Sequence, residues 1–228
     1  MNFTFLGHAC FTIEFGAKTL LFDPFISGNP MAKEHGIDVD RIQADYILIS
    51  HAHADHLLDA VSIAKRCDAT VVCSYEVHEW LLKQGVAKTH PMNIGGRWGF
   101  GDFSVKCVVA HHSSGLPDGS YGGSPMGFLV FADNKQIYYS GDTSLTLDMQ
   151  LIPRWATLDC AILPLGDNFT MGVSDAVLAA EFAGAKRVIG VHYDTFGYIV
   201  IDKEGALQQF NDAGIVLELP KIGGTVTL

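Results

Sequence analysis

Residues 51–56 have the sequence His51-Ala52-His53-Ala54-Asp55-His56, which places three imidazoles and one carboxylate within six positions. The stretch follows an apolar run at residues 46–50, which has the length of a buried strand. From Asp55 onward, apolar residues recur at helical spacing up to about Arg66. The stretch is therefore predicted to lie where a strand turns into a helix.

The residue types in this stretch are those of a metal site. Side chains two positions apart on an extended loop point the same way, so His51 and His53 can chelate one ion. Asp55 and His56, at the start of the helix, can turn toward a second ion. The alternative is a set of histidines that cap a helix or lie exposed on a loop. Crowding lowers the basicity of neighbouring imidazoles and favours the neutral form that binds metal, which speaks against this alternative.

Composition narrows the class of protein. Apolar residues make up 48% of the 228 residues, and no stretch approaches the roughly 20 apolar residues of a membrane-spanning helix. The net charge of −10 repels polyanions and disfavours nucleic acid as a partner, although a cationic metal site can still attract a small anion. We predict one domain over residues 1–228, a small-molecule substrate, no membrane and no nucleic acid, and we leave a homo-oligomer open.

The cysteines and the N-terminus point to a reducing compartment. The five cysteines are odd in number and scattered, which disfavours both a disulfide framework and a cysteine-rich zinc ribbon. The first residues lack the basic region of a secretory signal and lead directly into a strand pattern. We therefore predict a cytoplasmic protein.

The order of the predicted elements indicates an α/β (α+β) fold. Short strands in hairpins come first, and strands that alternate with helices follow, in both halves of the chain. This order predicts two mixed sheets packed face to face with helices outside. Three further polar positions, His112, Asp142 and His192, each fall just after a predicted strand, where a layered fold gathers side chains from distant segments.

The stretch at residues 51–56 resembles the signature of the metallo-β-lactamase superfamily, and the later polar positions occur in that family's order. The resemblance implies a four-layer αββα sandwich. It also implies two divalent metal ions. The implied ligands are His51, His53 and His112 for the first ion, Asp55, His56 and His192 for the second, and Asp142 as a bridge. His111 competes with His112 for the third position, and the family pattern favours His112.

More narrowly, several short motifs resemble small stand-alone hydrolases related to ascorbate-6-phosphate lactonases. These motifs are residues 6–9, 23–25, 110–114 and 163–171. This branch implies that a metal-bridging hydroxide attacks a small ester, lactone or phosphorylated substrate. Asp55 and Asp142 would then serve as catalytic proton acceptors, and we expect His8 and Asn168 to contact the substrate.

The expected metal is zinc, because the ligands are histidine and carboxylate without thiolates, with manganese or iron as alternatives. Two other functions remain open. One is phosphodiester hydrolysis by a nuclease of the same superfamily, which the acidic charge disfavours. The other is a non-catalytic metal-binding domain, which a bridging aspartate disfavours because structural zinc sites are usually closed and four-coordinate.

Overall fold

Two sheets of seven strands organise the chain, and the computed structural model describes all residues from Met1 to Leu228. The strands are, in chain order, β1 (Asn2–Gly7), β2 (Cys10–Phe15), β3 (Lys18–Phe22), β4 (Tyr46–Leu48), β5 (Thr70–Cys73), β6 (Thr89–Pro91), β7 (Arg97–Gly99), β8 (Phe103–Val109), β9 (Met126–Ala132), β10 (Lys135–Tyr139), β11 (Cys160–Pro164), β12 (Arg187–Val191), β13 (Val216–Glu218) and β14 (Thr225–Thr227). The α-helices are α1 (Pro30–Glu34), α2 (Ala54–Leu57), α3 (Ala60–Cys67), α4 (Tyr75–Lys83), α5 (Val173–Ala183) and α6 (Lys203–Asp212). Three 3-10 helices cover Val39–Arg41, Leu147–Arg154 and Gly197–Ile199.

The chain divides into two compact units, each built around one sheet. The first unit comprises Met1–Asn93, Ser113–Pro125 and Lys221–Thr227, and the second comprises Ile94–His112, Met126–Pro220 and Leu228. None of the helices has the length and apolar character required to cross a membrane. The expectation of a single domain over residues 1–228 stays a prediction.

The first unit contains the sheet β14-β1-β2-β3-β4-β5-β6. Strands β1 to β3 form an antiparallel meander, and β3 to β6 run parallel. Ile47 of β4 and Val71 of β5 are buried in one apolar core with Ile63 of α3 and Leu81 of α4. Because β3 and β4 run parallel with Phe22 opposite Leu48, the two strands end side by side.

The second unit repeats this plan with the sheet β13-β12-β11-β10-β9-β8-β7. Strands β7 to β10 are antiparallel, and β10 to β13 are parallel. Strands β9 and β10 form a hairpin, and its two turn residues Asp133 and Asn134 have φ angles of 51° and 58°. The predicted order of hairpins followed by parallel strands in both halves is thus confirmed.

One local expectation was wrong. The continuous helix expected from Asp55 to about Arg66 is interrupted, and α3 begins anew after Asp59. The interruption has a tertiary cause, because the Asp59 carboxylate accepts hydrogen bonds from the backbone N–H groups of Ile26 and Ser27 at 2.6 and 2.9 Å. Helix α5 begins after Gly172, which holds the cap position, and the Ser174 hydroxyl donates to Gln209 Oε1 of α6 at 3.0 Å.

Asp59 is expected to be a strong contributor to stability. Replacing it in Asp59→Ala leaves two backbone N–H groups without their acceptor at a residue that is only 5% exposed. We expect the free energy of unfolding to fall by about 3 kcal/mol. Urea titration followed by circular dichroism measures the change. The exposed Asp40→Ala serves as the control, and equal midpoints for the two variants would contradict the prediction.

Candidate metal centre

The first unit brings His51 and His53 together at the end of β4. His51 Nε2 lies 2.9 Å from His53 Nδ1, and the two rings meet edge to face with centroids 4.5 Å apart. His53 has extended backbone angles and occupies the N-cap position of α2. Since extended backbone turns alternate side chains to the same side, the local geometry supplies the paired imidazoles expected from the sequence.

A buried carboxylate orients the next imidazole of this group. Asp23, which directly follows β3, accepts a hydrogen bond from the Ser50 backbone N–H at 2.7 Å and one from the Ser50 hydroxyl at 2.5 Å. Its Oδ2 also lies 2.9 Å from His56 Nδ1, and both side chains are fully buried. Because a carboxylate accepts, Nδ1 carries the proton, and Nε2 is the nitrogen that can bind a metal.

Sequence reasoning assigned no role to Asp23. The position of Asp23 depends on the parallel pairing of β3 with β4, in which Phe22 lies opposite Leu48. The residue after β3 therefore had to lie beside the residues after β4, where the histidine-rich stretch begins.

Asp55 completes the donors of the first unit. Its Oδ2 lies 3.8 Å from His56 Nε2 and 3.0 Å from His8 Nε2. The Asp55 side chain is 29% exposed, whereas that of His8 is fully buried. His8 was expected to contact substrate, and the structure places it against a predicted metal ligand.

The second unit brings together His112, Asp142 and His192, which follow β8, β10 and β12. Asp142 Oδ2 lies 3.0 Å from His192 Nε2 and 3.8 Å from His112 Nε2. The side chains of Asp142 and His192 are 3% and 2% exposed, and that of His112 is 14% exposed. One carboxylate oxygen thus lies between two imidazole nitrogens.

The neighbouring His111 lies outside this group. Its side chain is 59% exposed, and its Nε2 lies 3.7 Å from Asp148 Oδ2. Its backbone N–H donates to Thr143 Oγ1 at 2.9 Å, which turns the side chain of the following residue toward Asp142. Of the two adjacent histidines, the structure therefore favours His112 as a ligand.

Asn168, the other expected substrate contact, lies exposed on a tight loop of the second unit. Both Asp167 and Asn168 adopt left-handed backbone angles, with φ of 59° and 53°. The Met171 backbone N–H donates to the carbonyl of Thr143 at 3.0 Å, so the loop is tied to the residue that follows Asp142. A substrate role for Asn168 stays a prediction.

A glycine-containing loop of the first unit contacts the histidine-rich stretch. Ser114 Oγ accepts a hydrogen bond from the Ala52 backbone N–H at 3.2 Å, and Ser113 Oγ lies 3.3 Å from His53 Nε2. A side chain at Gly122 would place its Cβ 2.3 Å from the Ala52 Cβ. Only glycine therefore permits this approach of the two loops.

The donor chemistry of both groups fits divalent metal ions. Imidazole nitrogens and carboxylate oxygens are buried together at strand ends, an arrangement that is costly without a cation or protons to balance the charge. Cys10, close in sequence to His8, is buried in the apolar core of the first unit, and this burial raises the pKa of its thiol well above the usual value. The donors grouped at the strand ends are imidazole nitrogens and carboxylate oxygens.

A family model described as beta-lactamase superfamily domain matches residues 18–193, well over half of the chain. The chain belongs to this superfamily. A UPF0173 metal-dependent hydrolase of Flavobacterium johnsoniae is 49% identical over 228 residues, which is 100% of both chains. A second UPF0173 metal-dependent hydrolase, from Christiangramia forsetii, is 47% identical over the same full length.

A solved structure agrees with this membership. Igni18, described as a novel metallo hydrolase from Ignicoccus hospitalis, has a TM-score of 0.89 and 31% identity, with 100% of this chain and 97% of that chain covered. The predicted α/β sandwich of the metallo-β-lactamase type is therefore confirmed. The chain is a metal-dependent hydrolase of the metallo-β-lactamase superfamily.

Asp23 is expected to control metal affinity without being a ligand. Asparagine tolerates the left-handed φ of 41° at this position, but its amide has a single acceptor oxygen for the three donors around it. We expect Asp23→Asn to weaken zinc binding by about 10- to 100-fold. Competition with a chromogenic chelator measures this. Asp45→Asn is the matched control, and unchanged affinity in Asp23→Asn would refute the role.

Gly122→Ala is expected to disturb the loop that contacts the histidine-rich stretch. The added methyl would meet both the Ala52 Cβ at 2.3 Å and the Ser114 Oγ at 2.6 Å. We expect a loss of about 1–3 kcal/mol in the free energy of unfolding, measured by urea titration. Gly115 lies in the same loop with nothing within 4 Å of an added Cβ, so Gly115→Ala should have a free energy of unfolding close to that of the unaltered chain. Equal losses in both variants would contradict the packing argument.

Proposed function

We propose that the donors expected from the sequence hold two divalent metal ions and that the chain hydrolyses a small ester or lactone, including phosphorylated ones. The observation that carries the proposal is the position of Asp142 Oδ2 between the ligand nitrogens of His192 and His112 at 3.0 and 3.8 Å, as expected of a shared carboxylate. The proposed ligands are His51, His53 and His112 for one ion, Asp55, His56 and His192 for the other, and Asp142 for both.

The two ions, when bound, would supply hydroxide at neutral pH by lowering the pKa of water toward about 7. The protein's own contribution is to hold the donors and to move a proton. Asp55 is 29% exposed, so a substrate atom can reach its carboxylate more readily than that of Asp142, which is 3% exposed. We assign the proton transfer to Asp55. It accepts a proton as water adds to the substrate and returns it to the departing oxygen, which leaves the carboxylate in its starting form.

Zinc is the metal we propose, since imidazole nitrogens outnumber carboxylates in the ligand set. Manganese and iron are the alternatives, and reloading the metal-free protein with each metal in turn will distinguish them from zinc. All five cysteines are free, four of them buried, which supports a reducing compartment, and we propose that the protein is cytoplasmic.

A small substrate is favoured over nucleic acid by charge. The chain carries 25 acidic and 15 basic residues, a balance that repels a polyanion and offers few partners for successive phosphates. The resemblance of residues 6–9, 110–114 and 163–171 to lactonase-related hydrolases supports the ester or lactone class.

A substrate panel tests the reaction class. Protein freed of metal and reloaded with zinc or manganese is assayed on aliphatic lactones, p-nitrophenyl acetate and bis-p-nitrophenyl phosphate. We expect turnover of the carbonyl substrates. Turnover of the phosphodiester alone would replace the proposal with phosphodiester hydrolysis, and stoichiometric metal without turnover of any compound would favour a non-catalytic domain.

Asp142→Asn tests the shared carboxylate. An amide oxygen carries no charge, so we expect metal content to fall by at least about one ion per chain and turnover to fall by about 100-fold or more. Elemental analysis and steady-state kinetics measure the two effects. Asp148→Asn, which removes a carboxylate beside the exposed His111, is the control. Full metal content and turnover in Asp142→Asn would overturn the ligand assignment.

A further inference from the structure

His8 occupies a backbone position that histidine adopts at a cost. It lies in the connection between β1 and β2, where Gly7 pairs with Cys10, and its φ is 57°. The preceding Gly7 has a φ of 106°, and a Cβ there would come within 2.8 Å of Asn29 Nδ2. Left-handed angles favour glycine first and asparagine, aspartate and histidine next, so the backbone conformation does not by itself select an imidazole at residue 8.

The side chain of His8 is buried and directed at metal-ligand candidates of its own unit. Its Nε2 lies 3.0 Å from Asp55 Oδ2, and its ring contacts those of His56 and Phe25 with centroids 5.7 and 5.6 Å apart. The residue is only 1% exposed, and the contact with substrate expected from the sequence stays a prediction. Strain combined with full burial is typical of a functional position.

We propose that His8 is a metal ligand that joins Asp55 and His56 around the second ion, an inference that rests on the proposed function. The potential ligand atoms of these three residues lie within 4.8 Å of one another. Two donors about 2.05 Å from one ion are about 2.9 Å apart at an angle of about 90° and about 3.6 Å apart at about 120°, the angles of a five-coordinate ion. The separation of Asp55 Oδ2 from His8 Nε2, 3.0 Å, lies in this range, and its separation from His56 Nε2, 3.8 Å, is slightly longer.

With His8 as a ligand, both the donor atoms and the open positions of the second ion change. An additional imidazole raises the share of nitrogen donors, which favours zinc or iron over manganese at that position. It also occupies a coordination position that would otherwise be open to water or substrate. The other role compatible with a distance of 3.0 Å is a hydrogen bond that orients Asp55, and the experiment separates the two.

The test is His8→Asn in cobalt-substituted protein. Asparagine accepts the left-handed backbone and can donate a hydrogen bond toward Asp55, but it is a poor metal ligand. Each bound imidazole gives a solvent-exchangeable N–H resonance shifted by the paramagnetic ion. We expect His8→Asn to lose one such resonance and to bind the second ion at least about 10-fold more weakly. His35→Asn, which removes an exposed imidazole from the same unit, should lose none.

Retention of every shifted resonance in His8→Asn would overturn the proposal, whether or not affinity falls, because a weakened hydrogen bond removes no ligand. The unaltered protein gives a second measurement that does not depend on folding of the variant. With all histidines labelled with ¹⁵N and both ions bound, His8 as a ligand predicts six shifted imidazole N–H groups, one more than the histidines of the proposed set. A count of five refutes it. Failure of the unaltered chain to retain metal would instead refute the proposed function.

Discussion

The buried Asp23 carboxylate joins three elements of the first unit. It receives the Ser50 backbone N–H and hydroxyl from the loop after β4 and lies against Nδ1 of His56 in α2. A charge at a fully buried position is tolerated only when it is surrounded by donors, so these contacts must form together. The carboxylate thereby sets the path of the histidine-rich stretch and the tautomer of one of its imidazoles.

Both units place their polar side chains just beyond the ends of strands. In each sheet the neighbouring parallel strands end on the same side. The residues just beyond those ends carry the polar side chains. Several of these residues have left-handed backbone angles, among them Asp23 and His192 with φ of 41° and 55°. Such angles turn a side chain sharply at the strand end, and the apolar core of each unit stabilises the strained backbone.

The start of α3, close in sequence to the candidate metal ligands, is determined by tertiary contacts. The helical period that follows Asp55 is present, but the helix restarts after Asp59 because that carboxylate binds the backbone at Ile26 and Ser27. These two residues follow the segment that contains Asp23. The break in the helix and the orienting carboxylate thus both involve the segment of residues 23–27.

The amino-acid sequence by itself determined the class of fold and the residue types of the centre. Apolar periodicity marks strands and helices locally, and the spacing in residues 51–56 marks metal ligands without reference to distant segments. Only the tertiary structure exposed His111 and brought His112 near Asp142, placed Asp23 beside His56, and buried His8 against Asp55. Each of these depends on strand pairing, on a left-handed turn or on a contact between residues far apart in the chain, and no local pattern records such contacts.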